Sequence, residues 1–224
     1  MAKKNKKADS ALSLDVQLSR SEAFIEKNLK AILIVLGVVV VVAVGLFLWR
    51  NYAQSREAKA QAAIAVCQQA FAQGNYALAL DGDSISQQGF NGIIREYGST
   101  KTGSLARLYA ALCYANLGQY EEAITQFEKF GGKGDQMVSP AAKGALANCY
   151  AEIGETEKAA GLFLKAAKEA DNNAVSPWAL IQAGILYESL GQTDKALDAY
   201  QQVKDKYYRS ALSADIDKYI ERVK

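Results

Sequence analysis

Apolar residues follow two regimes along this chain. From Ala31 to Trp49 the sequence reads AILIVLGVVVVVAVGLFLW, 19 consecutive positions without a charge. Beyond Arg50 the apolar positions are Ala-rich, recur at helical spacing and are interrupted by charges. The first regime predicts a helix of roughly 28 Å, close to the hydrocarbon thickness of a bilayer. A buried core helix rarely stays apolar on every face for this length. Trp49 and Tyr52 suit one membrane interface, and Lys27 and Lys30 can snorkel at the other. A cleaved signal peptide fits poorly, because 30 residues precede the run and no small-x-small site follows Trp49.

The second regime repeats itself. The pattern Gly-x-[Tyr/Thr]-x-x-Ala occurs from Gly74 to Ala79, Gly118 to Ala123, Gly154 to Ala159 and Gly191 to Ala196, with successive glycines 44, 36 and 37 residues apart. Tyr114, Tyr150 and Tyr187 stand four residues before the last three glycines, and Phe127, Phe163 and Tyr200 stand four residues after the corresponding alanines. Each part has a mechanical reason. The Gly ends a helix where a left-handed residue is needed, the Ala lets two antiparallel helices approach closely, and the aromatics fill the space beside that contact. These residues are expected to build the fold.

Ser139-Pro140 and Ser176-Pro177 read as an N-cap Ser followed by Pro at the first helical position, and Ser104 is the corresponding start one repeat earlier. The reading places helices near 104–117, 120–130, 140–153, 156–170, 177–190 and 193–206, and a terminal helix near 210–223. In that last helix Leu212, Ile216, Ile220 and Val223 form one stripe, as an end cap requires.

Over roughly residues 60–206 these motifs resemble the tetratricopeptide repeat, with three good repeats and a degenerate first one interrupted at Asp81-Gly-Asp-Ser84. The family's proline near the repeat end is missing, with Asp171 and Tyr208 at the matching places. The expected fold is all-α: an N-terminal transmembrane helix, an α-solenoid of about four tetratricopeptide-type helix pairs, and a C-terminal capping helix. By residue, 1–28 read as a basic tail and 29–49 as the membrane helix. Residues 50–103 read as a connecting helix with the degenerate repeat, 104–209 as three repeats and 210–224 as the cap.

Charge sets the orientation and excludes functions. Of 26 Lys/Arg and 24 Asp/Glu, seven and four lie up to residue 49, which leaves 19 and 20 beyond it. The basic excess sits before the apolar run, so the N-terminus is expected in the cytoplasm and the repeats outside it, in the periplasm of a bacterial cell. Residues 1–20, polar and low in aromatics, are expected to be disordered. The repeat region lacks the basic excess that a nucleic-acid backbone requires.

Histidine is absent, which removes the usual general base and the commonest metal ligand. Cys67, Cys113 and Cys149 lie 46 and 36 residues apart in apolar stretches, without metal-ligand spacing, and are expected to pack as unpaired small hydrophobes. No nucleophile motif or phosphate loop is present. No enzyme, cofactor or metal is expected.

The layout of basic tail, single apolar helix and small repeat domain looks like the bacterial YfgM-type family. That resemblance implies an ancillary subunit of the Sec translocon, working with a membrane-anchored periplasmic chaperone related to peptidyl-prolyl isomerases. The alternative is a structural scaffold organising an envelope complex, such as division or outer-membrane assembly. The repeat resemblance also implies a concave groove lined by the first helix of each repeat. Its candidates are Leu105, Leu108, Leu112 and Asn116, then Ala141, Gly144, Asn148 and Glu152, then Trp178, Ile181, Ile185 and Glu188. Leu, Gly and Ile stand where a carboxylate clamp would need Lys or Arg, so that activity is rejected. The expected contact surface is apolar, with Trp178 its largest feature, unless the terminal helix folds over part of it. The bilayer itself is the partner of residues 29–49. The topology has a direct measurement. Protease added to osmotically opened cells should digest the region after Arg50 and spare the tail before Lys30, and the opposite protection would reverse the orientation.

Overall fold

The computed structural model describes residues 3–83, 88–132 and 134–224, with side chains from Lys27 onward. It is all-helical; among the described residues the only β-type pairing is one isolated bridge between Gly82 and Gln88. The chain divides into two compact units, Met1–Ser55 and Arg56–Lys224.

The first unit is the leading part of helix α1 (Lys3–Ala72). Its apolar run is exposed throughout and is, by length and composition, sufficient to cross a membrane. The disorder expected for residues 1–20 is corrected from Lys3 onward, where the backbone is helical. No Pro or Gly precedes Gly37, so a helix nucleated in the apolar run meets no breaker as it extends toward the N-terminus.

The second unit begins with the end of α1 and continues through α2 (Tyr76–Asp81), α3 (Phe90–Tyr97), α4 (Lys101–Asn116) and α5 (Tyr120–Lys129). Then come α6 (Val138–Glu152), α7 (Thr156–Ala170), α8 (Ser176–Ser189), α9 (Thr193–Lys206), a 3-10 turn (Ala211–Asp215) and α10 (Ile216–Arg222). From α3 to α9 each helix packs on the next, and α10 packs on α9, as a solenoid requires.

The turns inside the pairs share one geometry. Gly74, Gly118, Gly154 and Gly191 have φ of 77°, 75°, 85° and 69°. The N–H after each glycine donates to the carbonyl four residues before it: Gln119 to Tyr114, Glu155 to Tyr150 and Gln192 to Tyr187, all at 2.9 Å, and Asn75 to Ala70 at 3.0 Å. With the second bond from Gly118 N–H to Ala115 O at 3.2 Å this is a Schellman ending. The marker tyrosines therefore supply the carbonyl that closes the turn as well as a ring for the core. Ala123, Ala159 and Ala196 are fully buried, beside buried Phe127, Phe163 and Tyr200.

The helix starts differ from the expected caps. Helix α4 begins before Ser104: Thr100 Oγ1 accepts from Gly103 N–H at 2.9 Å. Glu57 of α1 also accepts from Lys101 N–H at 2.9 Å, Thr102 N–H at 3.1 Å and the Thr102 hydroxyl at 2.6 Å. Burial opposes the Glu57 charge, but these hydrogen bonds outweigh it and hold the carboxyl below its ordinary range. Ser139 lies inside α6, whose first N–H groups, from Met137 and Ser139 among others, donate to Asp135 at 2.9 and 3.0 Å. The Ser139 hydroxyl and these amides push the Asp135 carboxyl down to about 2. Ser176 is the first residue of α8, and its buried hydroxyl donates to Ala167 O at 2.8 Å. Asn172 Oδ1 takes the N–H groups of Ala174 and Val175 at 2.9 Å. In each case an acceptor upstream of the serine takes N–H groups at the helix start, and at α4 Glu57 of another helix joins Thr100 in doing so.

Two clusters form the core. One joins Ile64, Cys67 and Ala70 of α1 to Leu80, Phe90, Ile93, Ala106 and Cys113. The larger runs from Leu108 to Ile220. The expected terminal helix is split: Ile216 and Ile220 are buried, whereas Leu212 sits exposed in the 3-10 turn. All three cysteines are buried free thiols, and burial pushes Cys113 up to about 12 and Cys149 up to about 11. Burial thus favours the protonated thiol at all three. The helix crossings are testable through their alanines. Ala159→Leu or Ala196→Leu should overpack a fully buried site and cost about 1–3 kcal/mol in thermal or denaturant unfolding.

Candidate protein-binding groove

The inward candidates sit on α4, α6 and α8, and the structure separates them into three situations. On α4, Leu105 is half-buried against both core clusters, Leu108 is buried, Leu112 is half-buried, and Asn116 is exposed with its amide donating to Leu112 O at 2.7 Å. Asn148 of α6 is exposed. On α8, Trp178 is half-buried and Ile181 is 7% exposed within the larger core cluster, whereas Ile185 is 37% exposed.

Ile181 is therefore a core residue, contrary to the expectation of an open position. Trp178 is also turned to packing. Its ring meets Phe163 edge-on, centroids 5.4 Å apart, and lies where a Gly144 side chain would be: a Cβ there would come within 2.5 Å of the indole. Gly144 is thus the notch that admits the tryptophan, and the largest expected feature of the groove is spent on the junction of α6, α7 and α8.

What remains open is a hollow of about 340 Å³ between α4 and α6, lined by Leu108, Leu112, Met137, Val138, Ala141, Ala142 and Ala145. None of these side chains is charged or donates a hydrogen bond. Met137 and Val138 are 52% and 49% exposed, unusual for large apolar side chains in adjacent positions. Leu108, Leu112 and Ala141 were legible from the groove register. Met137, Val138, Ala142 and Ala145 were missed, the first two because Ser139-Pro140 read as the helix start. The available signal was Asp135, an acceptor two to four residues upstream of the first N–H groups.

Two charged groups of the inward helices, Glu188 and Lys143, are engaged elsewhere. Glu188 accepts from Arg222 Nε and Nη2, both at 2.7 Å, and from the Tyr200 hydroxyl. The Arg222 hydrogen bond, above all, holds the Glu188 carboxyl below its ordinary range, while burial and then Glu188 push the Tyr200 phenol up. Lys143 pairs with Glu169. These two lysine and glutamate side chains border a larger polar hollow of about 520 Å³ with Gly132, Gly134, Asp135, Gln136 and Ser139, whose Asp135 is already the α6 cap. Among the described residues no group of three or more His, Cys, Asp or Glu could hold a metal ion.

The sequence matches the tetratricopeptide repeat-like domain family over residues 22–219. The chain belongs to that family. The fold agrees with crystal structures of nearly identical TPR-like repeats assigned to a Podosopora anserina kinesin light chain. The parent form aligns at 13% identity over 75% of this chain and 86% of that one, with TM-score 0.57. Its Q17M form aligns at 13% identity over 75% and 85%, with TM-score 0.56. At that identity the likeness is one of fold. A search of curated proteins gives no match. Tetratricopeptide-type repeats typically form a non-enzymatic scaffold, and those of this repeat-like domain indicate a protein–protein interaction module.

The two isoleucines of α8 separate packing from surface. Ile181→Ala should cost about 2–5 kcal/mol of stability. Ile185→Ser should stay within about 0.5 kcal/mol of the parent in the same unfolding measurement.

Proposed function

We propose that this chain is a membrane-anchored, non-catalytic interaction module that serves as a chaperone-like adaptor or ancillary subunit at the Sec translocon. Residues 29–49 hold it in the bacterial inner membrane, with the N-terminus in the cytoplasm and the repeats in the periplasm. Its partners are translocon subunits and a membrane-anchored periplasmic isomerase-type chaperone. The observation that carries the interaction role is the uncharged, exposed hollow between α4 and α6 on a repeat scaffold. An apolar surface left open on a scaffold of this kind marks a contact site. The family match begins at residue 22 and so takes in the apolar run together with the repeats, which supports reading anchor and solenoid as one functional unit. The translocon assignment rests on the layout of tail, single helix and small repeat domain.

Affinity purification of the full chain from detergent-solubilised membranes, with co-purifying proteins identified by mass spectrometry, tests this. Translocon subunits and an isomerase-type chaperone are the expected partners. Recovery of division or outer-membrane assembly proteins in their place would move the assignment to an envelope scaffold.

A further inference from the structure

The sulfur-bearing side chains of this protein are sharply divided by exposure. Cys67, Cys113 and Cys149 are 4%, 0% and 1% exposed, and burial favours their protonated form. Thiol oxidation proceeds through the thiolate, so burial protects them twice. The chain has two methionines, Met1 and Met137. Met137 is 52% exposed and lines the α4–α6 hollow. Its thioether has no proton to lose, so its sulfur lone pairs are available at any pH.

The backbone around Met137 is pinned on both sides. Its N–H donates to Asp135 Oδ1 at 2.9 Å, and Gln136 O accepts from Asn172 Nδ2 at 2.7 Å. The same Asn172 Nδ2 donates to Ala170 O at 3.1 Å and to Met137 Sδ at 3.6 Å. Asn172 is itself fixed, because its Oδ1 takes the Ala174 and Val175 N–H groups at the start of α8. A thioether sulfur carries two lone pairs, and oxygen added to one or the other gives opposite sulfoxide epimers. The Asn172 amide occupies one of them, which leaves the second to solvent at this exposed side chain.

We propose that Met137 is an oxidant-responsive modification site, converted to the sulfoxide by a peroxide-class oxygen donor on the side away from Asn172, while the three thiols stay reduced. A sulfur lone pair attacks one peroxide oxygen, and the S–O bond forms as the O–O bond breaks. The proton on the transferred oxygen passes to the departing hydroxide, which leaves as water. Sulfur is oxidised by two electrons and the peroxide is reduced by two. The product is polar and chiral, so the exposed edge of the hollow gains a strong acceptor where its lining offered only a weak one. The Asn172 cap of α8 is untouched, so the surface changes while the fold does not. The change is reversible, because a reductase specific for that epimer restores the thioether.

The test treats the full chain in lipid nanodiscs with hydrogen peroxide, stops the reaction with catalase and digests with trypsin. Residues 134–143 form a tryptic segment that carries Met137 and no cysteine. Mass spectrometry should find one added oxygen there before any change at Cys67, Cys113 or Cys149. Treatment of that segment with the two stereospecific methionine sulfoxide reductases should show one epimer in excess by at least about threefold when the folded chain was oxidised, and near parity when it was oxidised in urea. Asn172→Asp keeps an oxygen for the α8 cap and removes the donor to sulfur, so it should bring the folded ratio toward parity. Thermal unfolding of the oxidised chain should superimpose on that of the untreated one, with Met137→Leu treated alike to control for oxidation elsewhere. Oxidation of a thiol ahead of Met137, near-parity of epimers in the folded parent, or an excess unchanged in Asn172→Asp would each overturn the proposal. So would an unfolding midpoint lowered by oxidation in the parent and not in Met137→Leu. If Asn172→Asp fails to fold, the comparison of folded and urea-treated parent decides alone.

Discussion

The helix pairs of this domain depend on a glycine held at positive φ at the end of the first helix. At Gly118, Gly154 and Gly191 the chain reverses within two residues, and the N–H beyond the glycine returns to the carbonyl of the marker tyrosine. A Cβ at these positions would strain the left-handed backbone. Because the reversal is so tight, the second helix starts almost on top of the first, and only a fully buried alanine fits where they cross. The aromatic one turn further on then fills the wedge that opens as the helices diverge. Turn, crossing and wedge are one mechanical unit repeated along the solenoid.

Stacking such units leaves the first helices side by side, and what lines them decides whether a groove exists at all. In this chain the stack is uneven. Gly144 lets Trp178 sink between successive repeats, so α6 and α8 seal against each other. Between α4 and α6 the facing residues are Leu108, Leu112, Ala141, Ala142 and Ala145, too small on one side to fill the gap. The hollow is therefore a consequence of residue volume. A repeat domain with the same turns and a larger residue at Ala141 or Ala145 would be closed there.

The ends of the stack are secured by a different physics. At the beginning, the ionised Glu57 of α1 reaches across to the uncapped N–H groups of α4, joining elements 44 residues apart. At the other end, Arg222 clasps Glu188, while Ile216 and Ile220 supply the apolar seal. Charge-assisted hydrogen bonds of this kind orient helix ends firmly, though partly exposed ion pairs add little net stability. They set how the terminal elements sit, and burial holds them there.

The repeat period, the turn glycines, the crossing alanines and the helix order were all legible in the sequence, because each rests on contacts local to one helix pair. The apolar run and its charged flanks were legible for the same reason, since length and composition suffice. The helix starts were not. Thr100, Glu57, Asp135 and Asn172 cap or brace them, and choosing among competing acceptors requires knowing which side chains the fold brings near. The site was only half legible. Helical register placed Leu108, Leu112 and Ala141 on the inward face, but the same register placed Trp178 and Ile181 there too. Whether an inward side chain stays open or is absorbed depends on the volume facing it in the next repeat, and that distance between helices exists only once the solenoid has stacked.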